Sequence, residues 1–127
     1  MKVLKKVIDA KLVDYIAMDI KNQPKKYGAT TGAKSDMARI KLSVELIMRS
    51  GIPYEFRTTV VPGLHSEKDF VEISKWIKGA RAYYLQEYRE DRILDPNLKK
   101  KTKGKKIDLE KIQRDIEKNF GKMAIRR

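Results

Sequence analysis

The chain has 127 residues, with 30 Lys+Arg against 17 Asp+Glu for a formal net charge of +13, and it contains no cysteine. That length suits one domain with a modest core, and the 41% hydrophobic content argues against disorder. Disulfides, zinc–thiolate sites and cysteine-held iron–sulfur clusters are excluded within these residues, and no apolar run approaches the roughly 18–20 residues of a membrane span.

The opening stretch Met1-Lys2-Val3-Leu4-Lys5-Lys6 alternates charge with apolar residues, unlike a secretory signal, so a cytoplasmic location is expected. Leu4, Val7, Ile8 and Leu12 keep helical spacing and predict an amphipathic helix over 2–12. Tyr15 to Ile20 is a short apolar run of strand length. Asn22-Gln23-Pro24 breaks it, and a loop runs to about Lys34 through Gly28-Ala29-Thr30-Thr31-Gly32. Loops of about 12 residues or more in a compact domain are commonly functional. Ser35 can cap the next helix, which places Met37, Ile40, Val44, Ile47 and Met48 on one face and stops at Gly51.

Tyr54 to Val61, rich in aromatic and β-branched residues, is the clearest strand, and Pro62-Gly63 ends it. Ser66-Glu67-Lys68-Asp69 resembles a capping box, followed by Phe70, Ile73, Trp76 and Ile77 on one helical face until Gly79. Ala82 to Glu87 is a third strand. The run Lys99 to Lys106 then forms a basic arm, and residues 98–127 hold 12 of the basic residues beside 4 acidic ones. Such a block repels itself and can steer phosphates, in nucleic acid or an acidic partner, or serve as a solvated tail. No aromatic residue is interleaved with it to stack on bases. Asp108 caps a last helix with Leu109, Ile112, Ile116 and Phe120 inward and Gly121 as its stop. The pattern predicts an α/β fold, a partial (β/α) barrel fragment of about three parallel strands and four helices. It divides into a half-barrel over 1–97, an arm over 98–107 and a helix over 108–127.

Side chains alternate across a strand, so Asp19 and Lys21 share one face, Arg57 and Thr59 another, and Tyr84, Gln86 and Tyr88 a third. Polar residues at the C-terminal ends of parallel strands sit where such folds bind ligands. If the three faces converge, Asp19, Lys21, Arg57, Thr59 and Gln86 line one concave surface. Its mixture of acid, cations and neutral groups fits a zwitterionic ligand bearing an amino-acid group. The same residues also read as solvated strand ends with a structural Arg57–Asp19 pair. His65 is the sole histidine and reads as a turn residue, and Trp76 as packing. Gly28 to Gly32 lacks the Gly-Lys-Ser/Thr ending of a phosphate loop.

Read together, the segments VDYIAMDIK, YGATTG, SVELIMRSGIPYEFRTTVVPGLHSEKDF and YYLQEYR resemble the later half of a radical S-adenosylmethionine activase. The nearest group is the activating proteins of anaerobic ribonucleoside-triphosphate reductase, related to pyruvate formate-lyase activating enzyme. Asp19-Ile20-Lys21 and Arg57 to Gly63, in that order, carry the resemblance over about three fifths of the chain. It implies an incomplete (β/α)₆ barrel whose three cysteines hold a [4Fe–4S] cluster. The cluster reduces S-adenosylmethionine, and the resulting radical abstracts hydrogen from a glycine of a partner enzyme. It also implies that Asp19 and Lys21 contact the amino-acid end of the cofactor, with Arg57, Thr59 and Gln86 along the wall. Where relatives carry a histidine in the last strand, this chain has Leu85-Gln86-Glu87-Tyr88. The Gly28–Gly32 loop would face the glycyl-radical partner. The expected reading is the C-terminal part of such an enzyme, without the cluster cysteines and inactive by itself. Its expected partners are a missing N-terminal half, a glycyl-radical enzyme, or a second copy paired through an open sheet edge. The alternative is a stand-alone basic module that binds nucleic acid or protein.

Overall fold

The computed structural model describes residues 14–27, 37–88 and 106–127. The helix expected over 2–12, the Ser35 cap, the Gly28–Gly32 loop and Lys99 to Lys105 lie outside those residues. Four strands form one sheet in sequential order: β1 (Ile16–Asp19), β2 (Tyr54–Val60), β3 (Ala82–Glu87) and β4 (Lys122–Arg126). All three pairings are parallel. Three α-helices make the crossovers among the described residues: α1 (Met37–Arg49), α2 (Glu67–Trp76) and α3 (Leu109–Ile116). Short 3₁₀ turns occupy Pro24–Lys26 and Glu117–Asn119.

The expected α/β architecture and its parallel sheet are present, with one strand more than the periodicity suggests. The segment assigned to a terminal helix is helical only to Ile116, and Lys122–Arg126 then pairs with β3.

The apolar sets predicted for each element meet on one side of the sheet. Val44 and Ile47 of α1, Phe70 and Ile73 of α2, and Leu109, Ile112 and Ile116 of α3 enclose Phe56, Val60, Tyr83 and Leu85. Full burial of each such side chain contributes about 1.5–3 kcal/mol relative to exposure. Trp76 packs against this core, edge-on to Tyr27 at 6.4 Å. One polar chain crosses the core: Tyr83 Oη donates to Thr58 Oγ1 at 2.6 Å, and Thr58 Oγ1 donates to the Ile20 carbonyl at 2.7 Å. It ties the end of β1 to β2 and β3, and pairs both buried hydroxyls.

Local signals account for the boundaries. Ser66 N–H donates to Asp69 Oδ2 at 2.8 Å, closing the capping box of α2. Asp108 Oδ1 accepts from Lys111 N–H at 3.0 Å and starts α3. Gly51 and Gly79 take φ of 74° and 92° after α1 and α2, a region that favours glycine.

Every described helix lies on one face, so among the described residues the other face of the sheet has no helix on it. In an open parallel α/β sheet helices cover both faces. In a barrel they cover only the outside, and the inner face belongs to the site. Glu55, Arg57 and Thr59 of β2, Gln86 of β3 and Arg126 of β4, at alternating positions, project to this second face, whereas Thr58 points into the core.

A polar strand-end cavity and its clip

The exposed face starts with the register. Asp19 lies opposite Arg57, Arg57 opposite Tyr84, Thr59 opposite Gln86, and Gln86 opposite Arg126. Side chains in register on a parallel sheet share a face, so Asp19, Arg57, Thr59 and Gln86 do converge as the alternation suggests. Arg57 Nε donates to Asp19 Oδ1 at 2.6 Å, and Lys21 Nζ lies 3.7 Å from Asp19 Oδ2. All three side chains are partly exposed, at 38%, 46% and 54% for Arg57, Asp19 and Lys21, so these pairs add little to stability and stay open to exchange for a ligand.

Asp19, Lys21 and Thr59 then line a cavity of about 180 Å³ at the C-terminal ends of β1 and β2, with Ile20, Val61, Leu64 and His65. Arg57 reaches this group through its bond to Asp19. Gln86 is exposed one strand further along, on the same face but outside the cavity. Chemically the cavity offers one carboxylate, one ammonium, a hydroxyl and an apolar back wall.

His65 holds the cavity's rim. Its Nδ1 accepts from the Val61 N–H at 3.0 Å, and its Nε2 lies 2.8 Å from the Lys21 carbonyl. The ring thus joins the end of β2 to the end of β1, beside the Pro62–His65 bridge. Burial pushes the imidazole below its ordinary pKa of 6.5, and the bond to the Lys21 carbonyl offsets this only in part. The turn role expected for His65 is thereby given partners 44 and 4 residues away.

A second polar group occupies the same face nearer the N-terminal ends of the strands. Arg126 donates to both carboxylate oxygens of Glu55, at 2.8 and 3.2 Å, and its Cζ lies 3.8 Å from the centroid of the Tyr84 ring. Tyr15 Oη donates to Glu55 at 2.7 Å. Burial opposes the charge of Glu55, but the bonds from Tyr15 and Arg126 outweigh it and hold its carboxyl below the ordinary range. The same bond to Glu55, aided by burial, pushes the Tyr15 phenol up to about 12. The candidate residues read from the sequence do not include this group. Glu55 stands two positions before Arg57 and so shares its face, which is the signal that could have found it. Arg126 carries no such signal until β4 is known to be a strand.

The residues present do not fit an iron–sulfur cluster, since there is no thiolate among the 127 residues. Among the described residues no group of three or more His, Asp or Glu side chains is placed to hold a metal ion. No helix among them is long and apolar enough to cross a membrane.

Fold and site together define a parallel α/β chain, consistent with a partial barrel-like fragment, that carries a polar cavity at its strand ends. Comparison with known proteins gives it a distant homologue. The chain is 28% identical over 129 aligned positions to a protein of Methanocaldococcus jannaschii named as a glycyl-radical enzyme activating enzyme. The match covers 98% of this chain and 54% of that protein, so the chain spans about half the length of the curated relative it matches. No protein-family model and no solved structure matches it.

Proposed function

We propose that this chain is the C-terminal part of a radical S-adenosylmethionine activase for a glycyl-radical enzyme. In this reading it contributes the wall that holds the cofactor's amino-acid end, and the cluster is held outside these 127 residues. The observation that carries the reading is the meeting of Asp19, Lys21 and Thr59 around one cavity with Arg57 against Asp19. A zwitterionic amino-acid group matches it charge for charge: Asp19 accepts from the ammonium, Lys21 and Arg57 donate to the carboxylate, and Thr59 supplies a neutral bond. Gln86 extends the wall toward β3. The full family's cluster chemistry would supply the radical, and no step of it is carried by residues of this chain. The partner of this reading is a glycyl-radical enzyme. The open edge of β1 is where the remaining strands of the barrel would pair.

Isothermal calorimetry with S-adenosylmethionine tests the reading. The native chain is expected to bind, and Asp19→Ala or Lys21→Ala to weaken binding. A charge-assisted hydrogen bond contributes about 1.5–3 kcal/mol, so each loss corresponds to roughly 10- to 150-fold in affinity. Absence of heat from the native chain overturns the reading, as does unchanged affinity in both variants.

A further inference from the structure

We propose that His65 is a positioning residue for the strand-end cavity: a neutral clip that keeps the end of β1 against the end of β2, and so keeps Lys21 and Thr59 facing one ligand. The hydrogen bonds dictate its chemistry. Nδ1 accepts from the Val61 N–H, so it carries no proton; Nε2 faces a carbonyl, so it must carry one. Only the neutral Nε2–H tautomer satisfies both. A proton taken up from solvent at Nδ1 would set one N–H against another, break the bond to Val61 and leave that buried amide unpaired.

The position of the ring makes this matter for the site. His65 lines the 180 Å³ cavity that contains Asp19, Lys21 and Thr59. It also lines a larger, open cavity of about 540 Å³ with Ser66, Glu67, Lys106, Ile107 and Asp108. The wall between the two is therefore partly this one imidazole. Lys21 lies two residues beyond the end of β1, and the bond from His65 ends on its carbonyl, so that bond locates the ammonium-bearing residue itself.

The charges around the ring are mixed. Asp69 from α2 favours its protonation and Lys26 from the 3₁₀ turn disfavours it. Asp19 and Lys21 stand on the side of the smaller cavity, and Glu67, Lys106 and Asp108 on the other. Phe70 packs on the ring at 5.4 Å and adds to its desolvation. The clip is thus closed near neutral pH and opens on acidification.

Heteronuclear NMR of the full chain provides the test. The imidazole nitrogens should report the Nε2–H tautomer and titrate below 6.5, and the amides of Lys21, Thr59 and Val61 should move with the same midpoint. His65→Gln can accept from Val61 with its carbonyl and donate to Lys21 with its amide. It should keep those amides near native positions and remove the acid step, whereas His65→Ala should displace them. Amides that ignore the imidazole titration, or that stay in place in His65→Ala, overturn the proposal. Should His65→Ala fail to fold, the native titration and the Gln variant still decide it.

The ligand arm rests on the half-site reading above. Affinity for S-adenosylmethionine should fall about fivefold to tenfold as the native imidazole protonates, the loss of roughly one hydrogen bond, and should stay level in His65→Gln. A pH-independent native affinity overturns the positioning role. Failure of the native chain to bind at any pH overturns the half-site reading instead, and the amide shifts continue to judge the clip.

Discussion

Asp69 is a carboxylate with 1% of its side chain exposed, and three donors hold it: Gln23 Nε2 at 2.7 Å, the Ser66 N–H at 2.8 Å and Lys26 Nζ at 2.9 Å. Burial alone would raise its pKa, but those bonds outweigh burial and hold it below the ordinary carboxylate value of 3.8. A depressed carboxylate contributes stability that is present above its unfolded value and lost as pH falls through the folded one. Asp69 should therefore add an acid-sensitive term below about pH 3.8. His65, depressed from 6.5, adds a separate term that weakens as pH falls below that value. Urea midpoints across pH 2–8 should show both, with the upper step missing in His65→Gln. Asp69→Ala strands the Gln23 amide and the Ser66 N–H, and should cost about 2–4 kcal/mol in chemical unfolding. The Ser66–Asp69 pair is legible as a capping box because it is local, three residues apart. The Gln23–Asp69 bond joins residues 46 apart and has no pattern in the sequence.

At the scale of elements, β4 depends on one close approach. Gly121 N–H donates to the Ala80 carbonyl at 3.0 Å, and Gly79 N–H donates to the Asn119 carbonyl at 2.8 Å, so the entries to β3 and β4 run side by side. A Cβ on Gly121 would sit 2.8 Å from the Arg81 carbonyl oxygen, which belongs to backbone and cannot turn aside. Gly121→Ala should cost about 1–3 kcal/mol and loosen β4, read as faster amide exchange over residues 122–126 than in native protein. Gln113 Nε2 also donates to the Met123 carbonyl at 3.1 Å, and tethers the strand to α3. A glycine after a helix reads as a stop signal, as Gly121 does here. That it also admits a neighbouring backbone depends on where Arg81 lies, and the five residues of β4 are too few and too basic to announce a strand.

For the whole molecule, the consequence of a one-sided helix layer is a sheet with open edges at β1 and β4 among the described residues. Ile16 N–H donates to the Pro53 carbonyl and Ile20 N–H to the Arg57 carbonyl, so the N–H of Ala17 points away from β2. An unpaired edge of this kind takes up another strand when one is offered. Without a complementary part, a second copy is the expected occupant, and sedimentation equilibrium at tens of micromolar should report a two-chain mass. Ala17→Pro removes only the outward N–H and should return the chain to one-chain mass with its circular dichroism intact. A one-chain mass for the native protein would count against edge pairing.

The sequence by itself determined the alternation of strands and helices, their apolar faces, two helix caps, the face shared by Asp19 and Lys21 and the face shared by Arg57 and Thr59. These rest on periodicities of 2 and 3.6 and on contacts between near neighbours, which a linear string carries directly. It also determined that no cluster can be held here through cysteine. Tertiary structure alone decided that the described helices lie on one side, that Asp19 stands beside Arg57, that Arg126 crosses Tyr84 to reach Glu55 across 71 residues, and that His65 joins two strand ends. Each of those depends on distance between segments remote in sequence, and that distance is set by the parallel register and the packing of the helices rather than by any local preference.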